Sequence, residues 1–237
     1  CDHPFEPQTL QAFLQAALDR EAPNRTVAVN RRRARVVMPD GRVLPGRDEA
    51  FEQPAPARSA LPVSRLFVLL ALTGARVGEV LAMRWADCDL DRGRLTIRAS
   101  KTGRRRILPL INAPEGDVAP TLLELLRKWH DDAGNREYVL PHGSQPAPAF
   151  PKSPWQLTNR SAKLPRIGPQ MLRRNWVSYA ASLGIPAAVA ALWSGHSAIV
   201  AERWYRAQVL DRATGASLEA AMGLTELLGR MLDRTTL

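Results

Sequence analysis

The sequence is short of the residues that build metal and cofactor sites. Of its 237 residues only Cys1 and Cys88 are cysteines. They form no CxxC pair, which argues against a disulfide scaffold or a thiolate zinc site and fits a reducing compartment. No carboxylate or histidine cluster sits at metal-ligand spacing, so no metal or other cofactor is expected. Apolar runs such as Leu66 to Leu72 are far too short to span a bilayer, and the N-terminus has no signal-peptide pattern. The expectation is a cytoplasmic chain without a membrane partner. Aromatic residues make up 6% of the chain, with three tyrosines, Tyr138, Tyr179 and Tyr205. Acidic residues are also scarce, 23 against 33 Lys and Arg, for a formal net charge of +10. Such an excess points to a polyanionic partner, with nucleic acid ahead of anionic membrane. The 45% hydrophobic content is enough for one large core or two small ones. The chain begins at Cys rather than Met, which reads as a trimmed fragment.

Pro7 to Arg20 sets Leu10, Phe13, Leu14, Ala17 and Leu18 on one stripe and predicts a helix. Arg25 to Gly46 alternates like strands about a Pro39-Asp40-Gly41 turn and predicts a basic hairpin. Arg31, Arg32, Arg33 and Arg35 either grip phosphates or protect a solvated edge by charge, and both readings stand. Pro54 to Pro62 reads as a loop. Ser64 to Thr73 is almost entirely apolar and predicts a central helix ended by Gly74. Arg76 then falls at a tight junction between helices, where Glu79, one turn on, either pairs with it at the surface or aims it at a ligand. Trp85, Asp87, Asp89 and Asp91 read as packing and turn residues.

Arg94 to Leu110 predicts two strands, with Leu95, Ile97 and Ala99 on one face and Arg94, Thr96 and Arg98 on the other. Ser100 to Gly103 is the turn, with Lys101 at its tip. Arg92, Arg94, Arg98, Arg104, Arg105 and Arg106 make this hairpin the most basic part of the chain, suited to lie along a phosphate backbone. Thr121 to His130 predicts an amphipathic helix, Tyr138 to Pro141 a short strand, and Gly143 to Pro154 a Pro-rich loop. From Gln170 to Tyr205 the chain brings an Arg, a His and a Tyr together. Arg173 reads as helical, Gly195-His196-Ser197 as a turn, and Tyr205 follows nine residues after His196. Singly, Arg173 with Arg174 is a charge run, His196 a helix cap and Tyr205 a core aromatic. Tyr179, in mid-helix, is a rival nucleophile better explained by packing. Ser217 to Leu232 predicts one apolar-faced helix, or two broken near Gly223.

Taken in order, TGARVGEVLAMRW, SKTGRRRILPL, LRR and SGHSAIVAERWY resemble the catalytic domain of the tyrosine recombinase (phage integrase) family. The resemblance implies an α+β fold, mainly helical with a small antiparallel sheet, filling residues 1–237 as one catalytic domain. Residues 25–46 look like a hairpin insertion, and the family's smaller N-terminal DNA-clamping domain is expected to be absent. It implies Arg76 and Arg173 as the clamp on the scissile phosphate, His196 as a further phosphate ligand, Lys101 as the hairpin-tip lysine and Glu79 as the supporting acid. Tyr205 is the implied nucleophile. The family usually has a histidine three residues before the second arginine, where this chain has Gln170.

The implied activity is site-specific cleavage and rejoining of double-stranded DNA through a 3′-phosphotyrosine, without metal or ATP. Guanidinium forks suit the charge that builds on the non-bridging oxygens, and Lys101 is the candidate acid for the departing 5′ oxygen. Arg94, Arg98, Arg104, Arg105, Arg106 and Arg174 are the expected DNA contacts. The tail, 217–232, is expected to dock on a neighbouring protomer within a homo-tetramer, with docking on its own domain as the other reading. Two other activities remain open: a relative that binds DNA without cleaving it, which Gln170 makes thinkable, and a nicking and closing enzyme like the type IB topoisomerases.

Overall fold

The structure is a computed structural model that describes residues 5–22, 61–99, 104–110, 120–141, 145–147, 149–164, 167–197 and 217–233, with the backbone of strands at 26–32, 36–37, 43–44 and 48–54. The body is mainly helical with a small antiparallel sheet, as the sequence implies. Helix α1 (Pro7–Glu21) buries Leu10, Phe13, Leu14, Ala17 and Leu18, the stripe read from its periodicity. It packs on α2 (Val63–Thr73), which is buried along nearly its whole length because it has no polar face to offer water. A buried N–H left over at the start of α2 finds an acid from another helix: Glu21 accepts from the Ser64 backbone at 2.9 Å.

The N-terminal hairpin runs further than its alternation predicts. Strand β1 (Thr26–Arg32) pairs antiparallel with β4 (Asp48–Pro54), and β2 (Val36–Val37) pairs with β3 (Val43–Leu44). Thr26 lies opposite Pro54 and Val36 opposite Leu44. The expected Pro39-Asp40-Gly41 turn, Arg33 and Arg35 lie outside the described residues. The hairpin therefore ends at Pro54 rather than Gly46. Its register sets Glu49 opposite Arg31 and Asp48 opposite Arg32.

After α2 the chain makes α3 (Val77–Leu81), a 3₁₀ turn (Trp85–Asp87), and the three-stranded sheet β5 (Cys88–Asp89), β6 (Arg94–Arg98) and β7 (Arg105–Pro109). Leu95 faces Leu108 and Ile97 faces Arg106, so these four share the inner side of the sheet. Helix α4 (Leu122–Asp131) starts on a Thr121 and Glu124 capping box. Tyr138 makes one antiparallel bridge, to Arg84, in place of the expected strand. The Pro-rich loop is shorter than expected, because α5 (Lys152–Ser161) begins before Pro154. Proline is tolerated there, in the first turn, where its missing N–H has no partner to lose. Trp155 of α5 lies 4.7 Å from Phe13, ring centre to ring centre.

Helices α6 (Pro169–Ser182) and α7 (Ala187–Ser194) complete the body. The tail forms two short helices, α8 (Leu218–Ala221) and α9 (Thr225–Asp233), separated at Gly223 with φ +67°. Within this single chain the tail packs on the helical body. Met222, Leu224, Leu228 and Met231 join the main core, and Glu219 accepts from the Leu122 backbone at the head of α4, 3.0 Å away. No helix among the described residues is long and apolar enough to cross a membrane.

Candidate active site

Gly74 ends α2 in the left-handed conformation, and a Cβ there would sit 2.8 Å from the Trp176 ring. Only glycine meets both conditions without strain. The carbonyls left unpaired at this helix end are taken up by α6: Arg173 donates to the Gly74 oxygen at 2.6 Å, and Trp176 Nε1 to the Leu72 oxygen at 2.9 Å. A buried cation at a helix C-terminus also meets the negative end of the helix dipole. Arg173 is 2% exposed, and its Nη2 is buried with no hydrogen-bond partner among the described residues. Burial, then the charge of Arg76, lowers its pKa to about 10, which leaves it cationic at neutral pH.

Arg76 precedes α3, and its backbone N–H donates to Glu79 Oε2 at 2.8 Å. Its guanidinium donates to Glu79 Oε1 and to the Gly195 carbonyl, each at 3.2 Å, while its side chain stays 51% exposed. Glu79 is the only carboxylate these contacts share, with 1% of its side chain exposed. Burial raises the carboxyl pKa, but the hydrogen bond from Arg106 and those of Arg76 outweigh it and hold the group below its ordinary value.

His196 follows α7, whose last turn ends at Gly195 with φ +69°. Arg173 Nε donates to His196 Nε2 at 3.0 Å, and His196 Nδ1 lies 2.9 Å from Ser194 Oγ. Guanidinium can only donate, so Nε2 accepts and the ring proton sits on Nδ1. Ser194 Oγ in turn donates to the Ala190 carbonyl at 2.6 Å. Burial, then the charges of Arg173, Arg76, Arg106 and Arg174, pushes His196 down to about 4. The imidazole is therefore neutral at pH 7, and its Nε2, which accepts from Arg173, carries no proton to donate to an anion.

The site thus gathers Arg76, Glu79, Arg173 and His196 from three separate stretches of chain. It also contains Arg106, which the sequence reading placed among the DNA contacts. That placement is corrected here: Arg106 has 8% of its side chain exposed, and it donates to both oxygens of Glu79 and to the Trp193 carbonyl. The signal was in the strand parity, because Leu108 is buried and Arg106, two residues earlier, must share its face. Arg98 is also committed, its Nε 2.6 Å from the buried Asp87 carboxylate. Arg94, Arg104, Arg105 and Arg174 are exposed, as an outward basic surface requires. Gln170 is exposed in the first turn of α6, one turn before Arg173. Lys101 and Tyr205 lie outside the described residues. The rival Tyr179 is 6% exposed and donates to the Phe5 carbonyl at 2.9 Å, and burial pushes its phenol up to about 12.

The chain matches the phage integrase family over residues 48–210. It is 31% identical over 140 residues to the tyrosine recombinase XerC of Xanthomonas campestris pv. campestris, a match covering 56% of this chain and 41% of that protein. It is 29% identical over 153 residues to the prophage integrase IntF of Escherichia coli K12, covering 63% of this chain and 32% of that one. The chain therefore spans less than half the length of these relatives. Its fold is similar to that of a lambda integrase dimer bound to a core site, with TM-score 0.53 at 17% identity over 90% of this chain and 61% of that one.

Proposed function

The chain belongs to the phage integrase family, and on that premise we propose that it breaks and rejoins double-stranded DNA by transesterification at Tyr205. The observation that supports this best is the charge balance of the site: the guanidinium groups of Arg76 and Arg106 share one carboxylate, Glu79, and Arg173 keeps a buried Nη2 without a partner among the described residues. A buried unpaired donor on a cation is costly, and a phosphodiester oxygen is the group that relieves it. The recombinase names of the relatives, and the DNA held by the lambda integrase structure, support the same partner.

In the proposed reaction the Tyr205 oxygen attacks phosphorus and the 5′ oxygen departs, taking its proton from Lys101. The tyrosine proton passes to solvent. Arg76 and Arg173 bind the non-bridging oxygens, where charge grows toward the transition state. The product is a 3′-phosphotyrosine and a free 5′ hydroxyl, so a second 5′ hydroxyl can reverse the step on another strand. Assembly of copies on DNA with exchanged tails is part of the same proposal, and would seat a neighbour's tail in the groove against α1 and α4.

A nicked suicide substrate tests the reading. The parent and Tyr179→Phe should both form a covalent complex, and Tyr205→Phe should bind the DNA but form none. Attachment by Tyr205→Phe would remove Tyr205 from the role. A complex that releases relaxed circles but never exchanges ends would favour nicking and closing over recombination.

A further inference from the structure

Arg106 commits every nitrogen of its side chain inside the protein. Its Nε donates to the Trp193 carbonyl at 2.8 Å, its Nη1 to Glu79 Oε1 at 3.1 Å and its Nη2 to Glu79 Oε2 at 2.6 Å. The paired approach to a carboxylate, two parallel donors on two oxygens, is therefore occupied by Arg106. Arg76 is left with a single guanidinium contact to Glu79, at 3.2 Å, and remains half exposed. We propose that Arg106 is a positioning residue that holds Glu79 and so keeps Arg76 available for an anionic ligand.

One buried negative charge decides where Arg76 points. Glu79 is buried, and a buried carboxylate must be paired. With Arg106 in place, the carboxylate is satisfied from the sheet side, and its remaining lone pairs orient Arg76 through the backbone N–H and one guanidinium nitrogen. Without Arg106, the nearest cation able to make the paired approach is Arg76, three residues from Glu79. Arg76 then turns inward and its charge is spent on Glu79. The turn carrying His196 is affected as well, since the Arg106 guanidinium lies 3.1 Å from where a Gly195 Cβ would stand and holds the Trp193 carbonyl.

The proposal rests on reading the site as one for phosphate, so its test uses inorganic phosphate rather than cleavage. Phosphate affinity is measured by titration, observing arginine Nε–H signals, with the melting temperature of each variant recorded. Arg76→Ala should weaken phosphate about tenfold, the worth of one charge-assisted hydrogen bond. Arg106→Met should weaken it by a similar factor, and adding Arg76→Ala to that variant should cost nothing more. Adding Glu79→Gln to Arg106→Met removes the charge that captures Arg76 and should recover affinity to within about threefold of the parent. Arg106→Lys, which keeps the charge but not the fork, should fall between, and it carries the same comparison with Arg76→Ala if Arg106→Met does not melt cooperatively.

A purely structural Arg106 would lower the melting temperature without making Arg76→Ala silent. The proposal is overturned if the Arg76 and Arg106 effects multiply, if Glu79→Gln recovers nothing, or if the parent does not bind phosphate through Arg76. A parent that binds phosphate in this way but forms no covalent complex on a suicide substrate removes the cleavage reading and leaves the role of Arg106 intact.

Discussion

Arg173 Nε and His196 Nε2 are hydrogen-bonded at 3.0 Å, so a permanent cation is held against a neutral imidazole. Protonating His196 breaks that bond and sets two positive groups face to face. The consequence is a signed dependence of stability on pH. The native pKa is about 4 and that of the unfolded chain about 6.5. Between those values the unfolded state binds more protons, so stability rises with pH across the window.

This contribution is fully present above pH 6.5 and is lost as pH falls toward 4. Urea unfolding at pH 7, 6 and 5 should show the parent losing more stability on acidification than His196→Gln. Parallel pH curves for the two proteins would mean that His196 does not titrate against Arg173.

Gly74 offers a test of how the junction is built. Its φ of +60° and the 2.8 Å approach of the Trp176 ring both oppose a side chain. Alanine should cost about 1–2 kcal/mol for the left-handed backbone and a further ~1–3 kcal/mol for displacing a packed ring. Denaturant unfolding of Gly74→Ala that shows a loss below about 1 kcal/mol would contradict this account.

The basic surface makes a prediction that distinguishes its arginines. Log DNA affinity should fall linearly with log salt, with a slope of about −0.9 for each phosphate neutralised. Arg104 and Arg105 are exposed, so replacing both with Ala should flatten the slope by roughly one or two units. Arg98, held by Asp87, should change it by less than about half a unit. Equal effects from Arg98 and from Arg104 with Arg105 would show that the Asp87 pair opens on DNA.

Much of this architecture was legible because period and punctuation agreed. The α1 stripe, the apolar α2, its stop at Gly74 and the parity of β6 all follow from side-chain period and one glycine. Helix α5 was missed because KSPWQLTNRS is polar and carries a proline, and its burial is set by Phe13 and Phe67, distant in sequence. Arg106 was misplaced because three consecutive arginines read as one charged run, although strand parity turns the last of them inward beside Leu108. The pairing of Arg173 with His196 has no local signature at all, since the two residues meet only after α6 and α7 have folded together. The choice between a tail docked on its own chain and one exchanged was equally hidden, because apolar periodicity does not name the groove that receives it.

Gln170 carries the most exposed prediction. It stands in the first turn of α6, exposed, one turn ahead of Arg173, where the family usually has a histidine. A glutamine amide donates to a phosphate oxygen as a histidine does, but it neither takes a proton nor carries charge. His196 does not fill the gap, because its Nε2 lone pair is engaged by Arg173 and its pKa is held near 4. Activation of the Tyr205 phenol, with an ordinary pKa of about 10, then depends on the field of Arg76 and Arg173 and on solvent. Losing one such group typically costs on the order of 10² in rate. Covalent complex formation on a suicide substrate should therefore be slow but measurable in the parent and faster by roughly that factor in Gln170→His. Its rate should climb with pH more steeply in the parent than in the histidine variant, because the parent has no local base. Equal rates would show that position 170 handles no proton. Tight DNA binding without any covalent complex in the parent, together with a complex in Gln170→His, would identify this chain as a relative that binds DNA and no longer cuts it.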